Sequence, residues 1–166
     1  MDITKTQPPL HDLVARRWSP RVFADRPVPE AALHSVLEAA RWAPSCFNEQ
    51  PWRLIVATRD NAEDYQRLLA CLVPGNQGWA KSAPVLMITV AAMAFERNGK
   101  ANRHAYHDVG LASAQLALQA TGLGLAAHFM AGFDADAVRA TFAVPEGFEP
   151  VAAVALGYAE ERDALT

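Results

Sequence analysis

The sequence predicts an α+β domain. Three observations lead there: two helical segments precede the first strand, strands and helices alternate after it, and one very long helix, from Arg103 to Thr121, interrupts the alternation. Strict β-α-β-α order would favour a parallel, doubly wound sheet instead. Periodicity by itself leaves strand direction open.

The elements follow in order. Leu10 to Arg17 reads as a short helix with Leu10, Leu13 and Val14 on one face, stopped at Ser19-Pro20 because proline has no N–H to continue it. Pro29 suits a first helical position, and Leu33, Val36, Leu37 and Ala40 then recur at helical spacing, so a second helix runs from there and ends near Pro44. Leu54-Ile55-Val56-Ala57 reads as a strand. Asp60 or Asn61 caps a helix carrying Tyr65, Leu68, Leu69 and Leu72. Val73 to Gly78, rich in breakers, reads as a loop. Val85 to Ala92 is a buried strand, Phe95 to Asn102 is polar and irregular, and Arg103 to Thr121 is the long helix, stopped at Gly122 or Gly124. Leu125 to Met130 is a strand, Asp134 caps a helix through Phe142 that Pro145 closes, and Val151 to Tyr158 is the last strand.

At 166 residues the chain fits one domain, and at this size roughly 70% of the unfolded surface can be buried. Its 51% hydrophobic content agrees with a full core. A formal net charge of −3 with scattered Lys and Arg offers no electrostatic reason to bind nucleic acid or an anionic membrane. Cys46 and Cys71 form no CxxC pair, so neither zinc nor a redox dithiol is suggested. The first residues carry no basic-then-apolar signal pattern, and no apolar run approaches the ~20 residues of a membrane helix. The expected location is cytoplasmic.

Four segments gather polar groups between core elements. Arg16-Arg17-Trp18-Ser19-Pro20-Arg21 offers planar guanidinium forks that suit phosphate, although basic residues also favour a helix C-terminus for its dipole. In Ala43 to Trp52, Pro44 and Pro51 bracket hydroxyl, thiol and amide side chains, giving a stiff loop or an ordinary connection; no base that would activate Cys46 is visible. Thr121-Gly122-Leu123-Gly124 follows a helix rather than a strand, which is the wrong context for a dinucleotide motif, whereas Gly132 lies just after a strand. His104 and Asp108 are four apart and could share a helix face, but no third metal ligand is identifiable. Neither a Gly-x-Ser-x-Gly elbow nor a Walker lysine is present, so hydrolase and P-loop readings lack support.

Taken in order, these segments resemble the nitroreductase family. The resemblance rests on Arg17-x-Ser19-x-Arg21-x-Phe23 with Arg26-Pro27-Val28-Pro29, and on Ala40 to Ser45 followed by Asn48-x-Gln50-Pro51-Trp52. It rests further on Asn76-Gln77-x-Trp79-Ala80 leading to Ala83-Pro84-Val85, on Asp108 to Ala112 with Gly122-Leu123-Gly124, and on Pro145-Glu146 with Ala155 to Tyr158. It implies an α+β fold with a central, mostly antiparallel sheet flanked by helices, and a homodimer with FMN at the interface. By position, Arg17, Ser19 and Arg21 would hold phosphate, ribityl chain and ring edge, with Trp18 adding backbone or packing contacts. Asn76 would contact the ring from the same subunit, and Pro44, Ser45, Cys46 and Asn48 would cover it from the other. The backbone at Ala131-Gly132 would donate to the flavin N5 region, and Arg162 is the candidate cation after the last strand. Trp18 and Cys46 stand where the family often has small or polar residues.

The implied activity takes hydride from NAD(P)H and reduces a small acceptor such as a nitroaromatic or quinone. The flavin carries the hydride, so no protein acid or base is required and no metal. The same cradle would serve a non-catalytic flavin-binding or sensing module, or other flavin chemistry such as dehalogenation, flavin fragmentation or ring dehydrogenation.

Overall fold

The computed structural model describes residues 9–160. Six helices and four strands follow one another as α1 (Asp12–Arg16), α2 (Glu30–Arg41), β1 (Trp52–Thr58), α3 (Ala62–Ala70), α4 (Pro74–Ala80), β2 (Val85–Ala92), α5 (Ala105–Gly122), β3 (Ala126–Met130), α6 (Ala135–Phe142) and β4 (Phe148–Gly157). The strands form one antiparallel sheet in the order β1-β2-β4-β3. The α+β class and the antiparallel sheet therefore stand as expected.

Both sheet faces are covered, which explains the unbroken apolar run of β2. On one face Val85 and Met87 meet Leu33 and Val36 of α2 and Val109, Ala112 and Leu116 of α5. On the other, Leu86 and Ile88 meet Tyr65 and Leu68 of α3, Ala80 of α4 and Val138 of α6. Successive residues of one strand thus feed two helical layers, as the pleat dictates. Between Thr89 and Val90 the register to β4 shifts, from Thr89↔Ala152 to Val90↔Pro150. Thr89 Oγ1 spans the irregularity, donating to the Ala152 carbonyl at 3.2 Å and accepting from the Ala152 N–H at 3.1 Å. Pro150, which has no N–H, is tolerated in the strand beside this bulge.

Local chemistry sets several boundaries. Asn61 Oδ1 accepts the Asp64 N–H, and Asp134 Oδ1 accepts the Ala137 N–H, each closing a helix N-terminus. Pro29 is the residue before α2 rather than its first helical residue. The Val73–Gly78 segment is a correction: it is not a loop, since α4 occupies Pro74–Ala80. Pro74 is acceptable there because its missing N–H falls in the first turn. Two glycines in a helix cost about 1 kcal/mol each, and long-range contacts offset this: Ala80 is fully buried, Gln77 Nε2 donates to the Leu72 carbonyl at 2.6 Å and Asn76 Nδ2 to the Gly132 carbonyl at 2.9 Å. Among the described residues, no helix is long and apolar enough to cross a membrane.

Candidate functional site

The arginine segment and the Pro44–Gln50 loop lie at two diagonal corners of the sheet. Pairing of Thr58 with Val85, Val85 with Leu156 and Ala126 with Gly157 defines one sheet end; Trp52, Ala92 and Phe148 define the other. The arginine segment lies at the first end, beside the β3 edge. The Pro44–Gln50 loop lies at the second end, beside β1. Three strand spacings and the length of β1 put these corners about 25 Å apart.

At the β3 corner, residues 17–26 form an extended strap. Ala24 N–H donates to the Tyr158 carbonyl at 2.8 Å and Glu160 N–H to the Val22 carbonyl at 3.1 Å. His128 Nδ1 donates to the Pro20 carbonyl at 2.8 Å, a tautomer set by the carbonyl's being only an acceptor. The other side of the imidazole is occupied by Trp79, with ring centroids 4.5 Å apart. Arg26 stacks on the Tyr158 ring at 3.8 Å. Trp18 and Arg16 line an open cavity of about 410 Å³ with Thr121, Gly124, Leu125, Ala126 and Ala159. Arg17, Ser19 and Arg21 are exposed, and neither arginine pairs with a carboxylate among the described residues.

The far end of the β3 edge carries Ala131 and Gly132. Here the carbonyl of Gly132 accepts from both Val73 N–H at 3.1 Å and Asn76 Nδ2 at 2.9 Å. The Ala131 carbonyl accepts the Phe133 N–H at 3.0 Å, which fixes the peptide that carries the Gly132 N–H. A Cβ on Gly132 would stand 2.6 Å from Asn76 Nδ2 and 2.8 Å from Val73 Cγ2. Only glycine allows this close approach. Asn76 and Gly132, 56 residues apart, thus form one junction.

The second corner is a stiff loop. Phe47, Asn48 and Gln50 all have positive φ, at 55°, 57° and 53°. Such backbone costs roughly 1 kcal/mol or more per residue and persists only where its surroundings over-determine it. The ties are visible. Ser45 Oγ accepts the Gln50 N–H at 3.0 Å, Asn48 Oδ1 accepts Gln50 Nε2 at 3.0 Å, and Arg53 donates to the Gln50 carbonyl at 3.0 Å. Asp108 Oδ2 accepts the Cys46 N–H at 3.0 Å, and its Oδ1 lies 3.1 Å from His107 Nδ1. Where α2 enters the loop, Glu38 accepts from Arg41 and from Trp42 Nε1; these two donors, Arg41 first, hold its carboxyl at a pKa of about 2 against an ordinary 4.5. The Phe47 ring, 71% exposed, meets Phe95 edge-on at 6.0 Å and carries the Arg97 guanidinium at 4.1 Å. Glu49 accepts the Glu96 N–H, tying the loop to the 94–101 hairpin.

Arg17, Trp18, Ser19 and Arg21 therefore share one rim with Asn76, Ala131 and Gly132, while Pro44, Ser45, Cys46 and Asn48 stand apart at the opposite corner. Arg162 lies outside the described residues. His104 and Asp108 do not act as a pair: His104 precedes α5 as its cap residue, and Asp108 is the buried anchor of Cys46. Sequence reasoning missed this anchor, the Glu49 tie and the His128 support of the strap. Asp108, Trp79 and His128 all lay within recognised segments, but nothing local marked His128 for a role against Pro20.

Residues 14–158 match the model of the nitroreductase family. The chain is 36% identical to an NADH dehydrogenase of Thermus thermophilus, with 89% of this chain and 85% of that protein covered. Among solved structures, an oxidoreductase containing FMN superposes with a TM-score of 0.90 at 36% identity, covering 98% of this chain and 83% of the other. A nitroreductase family protein from Clostridium difficile 630 gives 0.75 at 29% identity, covering 90% and 83%. The chain belongs to the nitroreductase family and is an oxidoreductase.

Proposed function

We propose that residues 1–166 form one FMN-binding domain that works as a homodimer, takes hydride from NADH or NADPH and passes electrons to a small acceptor such as a quinone or a nitroaromatic. The carrying observation is the β3 rim. One end presents Arg17 and Arg21, exposed and without carboxylate partners among the described residues; the other is the Asn76–Gly132 junction. This donor set fits FMN: guanidinium forks and the Ser19 hydroxyl suit a phosphate, and an amide with oriented backbone suits the polar edge of a flat ring. The FMN-containing relative at 36% identity supports the same reading.

Bound FMN supplies the centre that accepts and donates hydride. The protein's part is binding, orientation and exclusion of water. Arg17, Ser19 and Arg21 hold the phosphate end, while Trp18 walls the adjoining cavity. Asn76 orients the ring edge, and the fixed Gly132 N–H is available to it. A cover for the ring must come from elsewhere, because Pro44, Ser45, Cys46 and Asn48 lie beyond β1, three strand spacings or about 15 Å across the sheet from the β3 edge in the same chain. A twofold-related copy would bring its loop to this rim, and each site would then use both subunits. The exposed large apolar side chains support such an interface: apart from Val73 they lie on α1, α5, the end of α2 and the Phe47 loop or their flanks, as Leu10, Val14, Trp42, Phe47, Tyr106 and Leu123. We also place the protein in the cytoplasm, a reducing compartment that suits the free thiols of Cys46 and Cys71.

The test is a spectrum of purified protein before and after anaerobic NADH or NADPH, followed by addition of a quinone. Flavin absorbance, bleaching and its return are expected, with a dimer on size-exclusion chromatography. Lack of flavin sinks the cofactor; flavin that neither donor bleaches leaves a binding or sensing module instead. Arg17→Ala and Arg21→Ala should each weaken FMN retention.

A further inference from the structure

Charge pairing in this chain is uneven. Arg16, Arg41, Arg59, Arg67 and Arg139 are neutralised by Asp12, Glu38, Asp25, Asp64 and Glu149. Apart from Arg53, which donates to the Gln50 and Trp52 carbonyls, and Lys81, the cations with no carboxylate partner among the described residues fall in two groups. One is the strap already assigned to phosphate. The other is Arg97, Lys100 and Arg103, all exposed, on the hairpin that leads into α5.

The hairpin is built, not loose. Ala94 bridges Ala101, Phe95 N–H donates to the Lys100 carbonyl at 2.8 Å, and Asn98 Oδ1 accepts the Lys100 N–H at 3.0 Å. The buried Asn102 accepts the His104 N–H through Oδ1 at 3.1 Å, fixing Arg103 beside the turn. The Arg97 Cζ lies 4.1 Å from the Phe47 ring centroid and 5.4 Å from that of Phe95, so its guanidinium is held at the two rings with its N–H groups free to donate. The nearby acids do not neutralise the group: Glu49 accepts the Glu96 N–H, Asp108 is buried against Cys46, and Glu96 pairs with no cation among the described residues. Self-repulsion among three cations is unfavourable unless an anion relieves it.

We propose that Arg97, Lys100 and Arg103 form a recognition site for the 2′-phosphate of NADPH, so that the protein prefers NADPH to NADH. This rests on the function proposed above. There, the Phe47 loop lies over the partner's ring, and the hairpin stands directly behind it. A donor on that ring would need an anchor for its adenosine end, and Arg97, held against Phe47, together with Lys100 and Arg103 would supply one beside the loop. The 2′-phosphate is the dianionic group that distinguishes the two donors at that end.

The test uses the flavin-loaded dimer with a neutral quinone as acceptor, and Arg97→Ala, Lys100→Ala and Arg103→Ala. Lys100→Ala guards against a folding artefact, since Lys100 is exposed and its side chain makes no hydrogen bond or ion pair that would be lost. Each variant should lower the NADPH-to-NADH ratio of kcat/KM about tenfold, the size expected for one charge-assisted phosphate contact. Independently, calorimetry should show 2′,5′-ADP binding to the wild type, weakened by 0.5 M NaCl and by each substitution. This arm needs no hydride transfer, so it separates failure of the site from failure of the enzymatic reading. Equal loss toward both donors would assign the cations to the shared pyrophosphate and overturn the proposal. So would an unchanged ratio, or wild-type protein that binds 2′,5′-ADP no better than 5′-ADP.

Discussion

Replacing Gly132 by Ala tests the junction that joins the two ends of the candidate rim. The backbone there is not left-handed, so alanine meets no φ penalty. By itself the change would stabilise the fold by about 0.4–1 kcal/mol through the unfolded chain. Against that, the new Cβ would lie 2.6 Å from Asn76 Nδ2 and 2.8 Å from Val73 Cγ2. Relieving such overpacking costs about 1–3 kcal/mol, and turning Asn76 away gives up its 2.9 Å bond to the Gly132 carbonyl, worth about 1 kcal/mol. The net is a loss of about 2 kcal/mol, a fall in Tm of about 5 °C for a domain of this size. Differential scanning calorimetry at fixed protein concentration measures it. Gly78→Ala is the matched control, since its Cβ meets nothing within 4 Å and it sits in α4 two residues from Asn76; this change should raise Tm slightly. A Tm for Gly132→Ala at or above the wild type would refute the steric reasoning. FMN retention should fall with Tm if the junction also faces the ring.

Gly157→Ala places a Cβ 2.5 Å from Pro84 Cδ and 3.0 Å from Phe23 Cδ1; because the proline ring cannot turn aside, the loss should be about 3 kcal/mol by urea unfolding, and a variant within 1 kcal/mol of the wild type would show that the strand end gives way. Asp108→Ala removes the carboxylate, 3% exposed, that accepts the Cys46 N–H, costing about 2 kcal/mol. Chymotrypsin should then cut after Phe47 faster, and an unaltered cutting rate and Tm would remove Asp108 from its anchoring role. Glu38 should titrate by NMR near pH 2 rather than near 4.5. Because its folded pKa is depressed, what it adds to stability is complete above the ordinary value and is lost as pH falls through about 2. Arg41→Ala should bring the midpoint back toward the ordinary value, and a midpoint unmoved by that change would leave the shift unexplained.

Features governed by a few neighbouring residues were legible in the sequence. Asn61 and Asp134 cap helices because their side chains reach an N–H three residues on. The β2 span Val85–Ala92 was readable from its apolar run alone. The Pro44–Trp52 loop and the paired arginines also stood out, since their residue types are unusual for a plain connection or helix end. Helix α4 was not legible, because Pro74 and two glycines argue locally for a loop and only contacts to Leu72 and Gly132 reverse that.

The sequence by itself determined the α+β class, most element boundaries and the family resemblance, because periodicity, capping and breaker residues act over a turn or a strand. Tertiary structure alone decided which of those pieces meet. It joined Asn76 to Gly132, turned Asp108 from a conceivable metal ligand into the anchor of Cys46, and set the arginine strap and the Pro44 loop at opposite corners. It also sorted the cations into neutralised and unneutralised groups. These outcomes depend on strand order, on a register shift at Thr89 and on contacts between residues more than fifty apart, and no local propensity encodes them.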